Sequence, residues 1–183
     1  MSEGPILRTE RLELRPNVAS DLDGLVRLLR DEETRRFLGP SHNGAPDQFA
    51  GLMRNAGSWR LYGYGGFAVR KADEDELIAS CGVFHSWRAF GERMQDVPEA
   101  GWIVRHDHTG QGIAREAMEA ILGWFDEAHG IRRIACMIEK GNVPSERLAA
   151  RLGFAAYGEA EADDDGVLLT LYERHGPPAP KPA

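Results

Sequence analysis

A glycine-containing segment in the second half of the chain has the composition of an anion-binding loop. Residues 101–104 form a short apolar run, and Gly110 and Gly112 precede a helical pattern that begins near Ile113. Glycines let a backbone approach a ligand closely, and the free N–H groups of a helix N-terminus bind phosphate groups. The spacing therefore predicts a pyrophosphate site, although a tight strand-to-helix turn would also explain the glycines. It does not match a dinucleotide fingerprint or a nucleotide P-loop.

The cysteines and histidines give weaker signals. Cys81 and Cys136 lie in short apolar runs with no Cys or His at metal-ligand spacing, so we interpret both as reduced, buried or half-buried thiols of a cytoplasmic protein. His106 and His108 alternate like half of a metal site but lack a third ligand, and solvated histidines explain them better. We expect no metal, and no acyl-cysteine intermediate because no histidine base accompanies either thiol in the sequence.

The glycine segment resembles the acyl-CoA-binding motif of the GNAT acetyltransferase superfamily. In that motif Arg or Gln is followed by two residues, a Gly, one residue, and then Gly or Ala. Thr109, Gly112 and Ala114 stand at these places, and Thr109 departs from the usual Arg or Gln. The departure puts the rigidity of the loop in question, whereas contacts from the loop backbone to a ligand could survive it.

Four further segments resemble the ribosomal-protein N-acetyltransferase branch of that superfamily, the RimJ/RimL type. They are residues 9–16, 99–102, 142–145 and 151–154, and they occur in the order expected of the branch. The resemblance extends over residues 6 to 174. It implies a single GNAT-like domain that binds acetyl-CoA as a co-substrate, with CoA entering between two parallel strands that splay apart.

The resemblance implies an N-acetyltransferase that moves an acetyl group to a primary amine by direct attack in a ternary complex. The amine could belong to a protein N-terminus, a small molecule or an amino sugar, and the sequence does not choose among them. The alternative is a non-catalytic acyl-CoA-binding sensor or scaffold domain of the same fold. Neither the use of longer acyl-CoAs nor the oligomeric state can be read from the sequence, and a homodimer is left open.

The same resemblance assigns the residues that contact CoA. They lie in the strand before the loop, in the loop, and at the start of a later helix: Trp102, Ile103, Val104, Thr109, Gly110, Gln111, Gly112, Ile113, Ala114, Arg115, Asn142 and Ser145. A bulge at residues 102–104 is expected to free a backbone N–H for the thioester carbonyl. The side chain of Trp102 itself is expected to belong to the core or to the wall of the cleft.

Two residues are assigned to catalysis. Asn142 is a good N-cap and Ser145 falls in the following helical turn, where the resemblance implies that Ser145 approaches the CoA sulfur as a general acid. A tyrosine that other branches carry on this helix is replaced in the neighbourhood of residues 149–151, which strengthens the case for Ser145 or water. Glu99 could take the amine proton directly or through water, or be a surface carboxylate. Tyr172 could reach the acceptor pocket, although aromatic residues in strands more often pack.

The composition limits the classes of partner. The 183-residue chain has a net charge of −7, which disfavours a general nucleic-acid-binding surface and would suit a cationic acceptor. No apolar run reaches the roughly 18 residues that span a bilayer, and no signal peptide is visible. We therefore expect a cytoplasmic enzyme with an amine acceptor and without nucleic-acid or membrane partners.

The elements predicted around these residues form a mixed α/β (α+β) domain over residues 1–175, followed by a disordered Pro-rich tail over 176–183. The mostly antiparallel sheet has about seven strands, flanked by about four helices. The expected strands lie within 6–16 and near 62–70, 77–86, 99–104, 131–138, 154–160 and 167–174. The later expected helices lie near 112–128 and 143–152. Because strand, helix and strand alternate there, at least one strand pair must be parallel.

Local signals set the remaining elements. Ser20 is predicted to cap the first helix, and Pro46 to open the second, whose inner face would carry Phe49, Leu52 and Met53. The run 163–166, Asp-Asp-Asp-Gly, predicts a hairpin turn between the last two strands.

Overall fold

The computed structural model of the protein describes residues 6–38, 44–162 and 166–177. Over these residues there are eight strands and five α-helices, with three short 3₁₀ turns at 19–21, 92–94 and 106–108. The strands are β1 (Leu7–Arg8), β2 (Leu12–Pro16), β3 (Gly66–Lys71), β4 (Ala79–Ser86), β5 (Val97–Val104), β6 (Ile134–Glu139), β7 (Ala155–Glu161) and β8 (Leu168–Arg174). The helices are α1 (Leu22–Leu28), α2 (Glu32–Arg35), α3 (Ala45–Tyr62), α4 (Ile113–His129) and α5 (Val143–Arg151).

All eight strands belong to one sheet, in the order β1-β2-β3-β4-β5-β6-β8-β7. Every neighbouring pair is antiparallel except β5 and β6, which are parallel. The predicted fold class is confirmed, as is the crossover through α4 that a parallel pair requires. The extra strand and helix are β1 and α2, which have two and four residues and are too short to leave a periodic pattern in the sequence.

The parallel pair is held together at one end only. A single pair of residues, Glu99 and Ala135, is in register between β5 and β6, and beyond it the strands diverge. The gap implied by the family resemblance is therefore present, and it opens toward the carboxyl ends of both strands.

The two faces of the sheet are covered by different helices. On one face α4 and α5 pack on a large core that includes Phe67, Met118 and Phe125. On the other face α1 and α3 cover β3 with Leu28 and Leu52, and a third cluster around Met94, Ala135 and Leu171 lies beneath β6 and β8. Because side chains alternate along a strand, neighbouring residues of β5 and β6 point to opposite faces of the sheet.

The predicted inner face of α3 is only partly right. Leu52 is buried, but Phe49 and Met53 are exposed. The inner face continues instead through two polar residues, of which Ser58 is buried and Asn55 is half-buried. Asn55 accepts a hydrogen bond from the N–H of Gly66 and donates one to its carbonyl, and Ser58 donates to the carbonyl of Tyr64. A hydrophobic pattern cannot reveal polar residues that are buried by bonding to the backbone.

Ser20 does not cap the first helix as predicted. It lies in a 3₁₀ turn, and α1 begins at Leu22 with Asp21 as its N-cap residue. The carboxylate of Asp21 is buried, accepts a hydrogen bond from the N–H of Val18 at 2.8 Å, and forms ion pairs with Arg15 and Arg70. This turn is therefore fixed by a buried charge cluster rather than by a hydroxyl cap.

Two predicted features fall outside the described residues, namely residues 163–165 of the hairpin turn and 178–183 of the tail. The strands that flank the turn are antiparallel neighbours, and the N–H of Ala162 donates to the carbonyl of Val167 at 2.8 Å. Across the described residues, no helix combines the length and the apolar character that a membrane span requires.

We expect Asp126→Ala to destabilise the protein strongly. Arg174 of β8 is buried and donates two hydrogen bonds to Asp126 of α4, at 3.0 and 2.6 Å, so the variant leaves a buried guanidinium without its carboxylate. Removing one partner of a buried pair costs about 3–5 kcal/mol, measured as the free energy of unfolding in urea. The control Glu119→Ala removes the exposed pair with Arg115 and should cost about 0.5 kcal/mol or less. Equal losses in the two variants would contradict the prediction.

Candidate functional site

The predicted phosphate loop ends at an uncapped helix N-terminus. Gly110 and Gly112 have φ values of +74° and +78°, a left-handed conformation that favours glycine. Gly112 is the N-cap residue of α4, and no side chain in the described parts of the chain caps it. The N–H groups of the first turn, from Ile113 to Arg115, therefore point outward at the positive end of a 17-residue helix, where they could bind phosphate oxygens.

Local hydrogen bonds stiffen the loop in spite of the departure at Thr109. The Thr109 hydroxyl donates to the carbonyl of His106 at 2.7 Å, and the Gln111 side chain donates to the carbonyl of Asp107 at 3.1 Å. The Thr109 hydroxyl thus stabilises the turn, so the loop is held by a local hydrogen bond although Thr109 replaces the usual Arg or Gln.

Arg105 holds the start of the loop. It donates two hydrogen bonds to Asp107, at 2.7 and 3.0 Å, and two to Glu76, at 2.5 and 3.3 Å. These hydrogen bonds and charges raise the pKa of Arg105. The His108 ring is half-buried beside Arg105, 2.9 Å from its Nη2, so the interpretation of His108 as a solvated histidine is wrong, whereas His106 is exposed. No group of three metal-ligating side chains occurs in the described ranges.

A second support comes from the β1–β2 turn, and sequence reasoning missed it. Arg11 donates from Nη1 to the carbonyl of Gln111 at 3.0 Å and from Nε to Glu116 at 2.7 Å. Its backbone N–H and the Thr9 hydroxyl also donate to Glu116. Burial of this carboxylate opposes its charge, but the hydrogen bonds from Thr9 and Arg11 outweigh burial and lower the pKa of Glu116. Thr9 and Arg11 stood in the resembling segment, but nothing in the sequence gave their partner.

The strand before the loop has no bulge, contrary to the expectation from the resemblance. Its pairing with β4 runs without a register shift from Ala79–Val104 to Ser86–Val97. The N–H of Arg105 donates to the carbonyl of Ile78, in the same register. Backbone groups alternate in direction along an antiparallel strand, so the N–H of Ile103 faces β4, while those of Trp102 and Val104 face the gap. The divergence of β6, rather than a bulge, frees these donors.

Trp102 and Ser145 meet across the gap. The indole Nε1–H donates to the Ser145 Oγ at 3.2 Å, so Trp102 is more than part of the wall. Asn142 caps α5 by accepting a hydrogen bond from the N–H of Ser145 at 3.3 Å. The indole N–H occupies one acceptor lone pair of the Ser145 oxygen. The O–H of Ser145 is therefore free to donate its proton to a group in the gap.

The gap opens into a cavity of about 290 Å³ that reaches both faces of the sheet. One side presents Trp102, Asn142 and Ser145, which belong to the face covered by α4 and α5. The opposite side is lined by residues that sequence reasoning missed, apart from Glu99: Phe37, Leu38, Phe84, Arg88, Met137 and Glu139. Two reactants could therefore meet here from opposite faces of the sheet.

Glu99 lies at the closed end of the cavity and is 2% exposed. Arg88 donates to its two carboxylate oxygens, at 2.9 and 3.0 Å. The alternative reading of Glu99 as a surface carboxylate is therefore wrong. Arg88 lies in the segment after β4, eleven residues from Glu99, and no spacing rule would have paired them.

The remaining candidates pack rather than react. Cys81 and Cys136 are buried free thiols in the cavity wall. Burial raises the pKa of Cys81 to about 12, and burial together with the charge of Glu99 raises that of Cys136, so neither is a ready nucleophile. Tyr172 lies opposite Cys136 on β8 and packs in the main core.

Comparison with known proteins adds an independent finding. The model of the Acetyltransferase (GNAT) domain family matches residues 11–155. A structure from Bordetella pertussis assigned to the GnaT acetyltransferase family superposes with a TM-score of 0.82 at 32% identity, covering 93% of this chain and 99% of that one. The uncharacterized N-acetyltransferase YoaA of Bacillus subtilis (strain 168) is 25% identical, over 95% of this chain and 92% of its own length. Ribosomal-protein-serine acetyltransferase of Escherichia coli (strain K12) is 31% identical over 105 residues, 55% of this chain and 56% of its own length.

We expect Arg11→Ala to weaken the binding of acetyl-CoA about tenfold, which corresponds to about 1.4 kcal/mol. Without Arg11 the loop loses its bond at Gln111 and must be ordered on binding. Isothermal titration calorimetry gives the dissociation constant. The control Arg8→Ala breaks an exposed pair with Glu13 in the same hairpin and should not change it. An unchanged affinity in a folded Arg11→Ala protein would show that the loop does not need this anchor.

Proposed function

The chain belongs to the GNAT acetyltransferase family, and from that premise we propose that it acetylates a primary amine by direct attack within a ternary complex. Its enzymatic class, an acetyltransferase, follows from the family and its relatives, so the sensor or scaffold alternative falls away. The observation that carries the proposal is the cavity at the β5–β6 gap. The cofactor and the acceptor could bind on opposite faces of the sheet and react in the gap between β5 and β6.

The cofactor side fits acetyl-CoA, which supplies the activated acetyl group. The first turn of α4 would hold the pyrophosphate with its free N–H groups, supported by the loop from Thr109 to Gly112. The backbone of Trp102 and Val104 would take the pantetheine arm and the thioester, since these donors lack a strand partner. Asn142 and Ser145 would lie beside the sulfur.

The chemistry at the meeting point requires an oxyanion donor and a proton for the sulfur. A backbone N–H at Trp102 or Val104 donates to the developing oxyanion. Ser145 protonates the departing sulfur, held in orientation by the indole of Trp102. The N-terminus of α5 favours the negative charge that develops there.

The amine must also lose a proton, and Glu99 is the residue that the sequence offers for it. Its position in the cavity supports the role, but both of its oxygens are held by Arg88. Glu99 acting as the base requires Arg88 to release an oxygen, or a water molecule to relay the proton.

The acceptor is an amine on a protein N-terminus or a small molecule. The identity with the Escherichia coli ribosomal-protein-serine acetyltransferase supports the RimJ/RimL branch and hence a protein N-terminus. The net charge of −7 suits a cationic acceptor and disfavours nucleic acid. Reduced, buried cysteines suit the cytoplasm.

The first test is the melting temperature with and without acetyl-CoA. A ligand at a hundred times its dissociation constant adds about 2.7 kcal/mol of stability, which for this chain length corresponds to a shift of about 5–10 °C. AMP at the same concentration is the control and should give no such shift. Release of the CoA thiol with a panel of amines then measures turnover. No shift at millimolar acetyl-CoA would overturn the proposal.

The proposed role of Ser145 has a test of its own. Ser145→Ala should lower kcat by about 10²-fold, the lower range for a general acid, and leave acetyl-CoA binding unchanged. Trp102→Phe keeps the aromatic ring but removes the N–H, and should lower kcat less. If Trp102 acts through Ser145, adding Trp102→Phe to Ser145→Ala should lower kcat no further. Additive losses of kcat would contradict the coupling.

A further inference from the structure

The cavity holds two carboxylates on the face opposite Ser145, and they differ in their partners. The negative charge of Glu99 is compensated by Arg88, which donates two hydrogen bonds to it. Glu139, the last residue of β6, also lines the cavity and is half-buried. Over residues 6–38, 44–162 and 166–177 its carboxylate has neither a hydrogen bond nor an ion pair.

Glu139 faces the acceptor side. Cys136 and Ile138 point into the core beneath α4 and α5, whereas Met137 packs on the opposite cluster with Ala135. By the alternation of a strand, Glu139 shares the face of Met137. On β5, Ile103 belongs to the cluster on that same face, and Glu99, four residues earlier, shares it.

Along the strands, Glu139 also lies at the same position in the gap as the free backbone donors of β5. Glu99 is in register with Ala135, so four residues further along each strand Glu139 lies opposite Ile103, between the freed N–H groups of Trp102 and Val104. Asn142 and Ser145 follow at the start of α5. A carboxylate at this level lies across the gap from the donors assigned to the thioester.

The charges of the cavity support a distinct role for each carboxylate. Arg88 compensates Glu99, and Lys140, the neighbour of Glu139 in sequence, is paired with Glu159 at 2.8 Å. Glu139 therefore leaves the acceptor side with one uncompensated negative charge, bounded by apolar walls at Phe37 and Phe84. A protonated amine is the complementary group.

We propose that Glu139, rather than Glu99, binds the acceptor amine and accepts its proton, an assignment that rests on the proposed function. The bound ammonium first gives one proton to the Glu139 carboxylate, which releases it to solvent. The nitrogen lone pair then forms the C–N bond to the acetyl carbonyl carbon, and the C–S bond breaks as the tetrahedral adduct collapses. The N–H proton passes to the Glu139 carboxylate, directly or through one water molecule. The sulfur leaves as a thiol with the proton of Ser145, and the proton on Glu139 returns to Ser145 through solvent. The pair of Glu99 and Arg88 shapes the closed end of the cavity.

The experiment compares three glutamine variants. Wild-type protein is first assayed for CoA release with acetyl-CoA and four probes, a heptapeptide with a free N-terminal serine, its alanine counterpart, glucosamine and 1,5-diaminopentane. With the amine that turns over, Glu139→Gln should lower kcat/KM for that amine at least about 10²-fold, the lower range for a general base. Its dissociation constant for acetyl-CoA and its melting temperature should match the wild type.

Glu99→Gln should lower kcat/KM less than tenfold and lower the melting temperature, because Arg88 loses its charged partner. Glu74→Gln, at an exposed carboxylate in the turn between β3 and β4 and outside the cavity, is the matched control and should change neither. Full activity in Glu139→Gln with a large loss in Glu99→Gln would overturn the assignment and leave the proposed function standing. A wild type that releases CoA with no probe and shows no melting shift with acetyl-CoA would overturn both.

Discussion

The divergence of β5 from β6 is the constraint on which the rest of the structure depends. Two neighbouring parallel strands ordinarily satisfy each other's backbone groups, and these two do so only at Glu99 and Ala135. Beyond that point the inner N–H and C=O groups of both strands need another partner, because unpaired backbone groups are costly in a protein interior. In the proposed function, the pantetheine arm of CoA is that partner, since it is an extended chain with amide groups of its own. The missing pairing in the sheet is thus what makes the site.

The second constraint is that the anion-binding donors stay free while the loop that carries them stays rigid. The loop from Arg105 to Gly112 achieves this with side chains. Arg11 and Thr9 hold it from the β1–β2 turn through Glu116, and Arg105 holds it through Asp107 and Glu76. In these hydrogen bonds the acceptors are carboxylates and loop carbonyls. The N–H groups of the first turn of α4 therefore stay free. Because residues outside the binding surface hold the loop rigid, the loop loses less conformational entropy when a ligand binds.

The sequence sufficed for the features that depend on neighbouring residues. The strand–loop–helix around Gly112, the cap at Asn142 and the alternation of the later elements follow from local rules, and the structure has them. The partners of Glu99 and Glu116 did not follow, because Arg88 and Arg11 reach them through the tertiary fold. Glu139 gave no signal either, since a glutamate at the end of a strand is normally solvated, and only the divergence of β5 turns that position into a cavity wall. The expectation of a bulge was wrong for the same reason. Local sequence patterns cannot distinguish a bulged strand from a regular strand whose neighbour diverges.

The helix after the gap supports the proposal that the proton donor lies in its first turn. Other branches carry a tyrosine on this helix, in the neighbourhood filled here by residues 149–151. Ala149 is fully buried in the main core, and the next two residues, Ala150 and Arg151, are exposed. None of the three lines the cavity, whereas Asn142 and Ser145 do. Ser145 is therefore the hydroxyl-bearing residue of this helix that lines the cavity, which supports its proposed role at the sulfur. The proposed role requires a fixed orientation of this short side chain, and the indole of Trp102 on the facing strand donates a hydrogen bond that orients it.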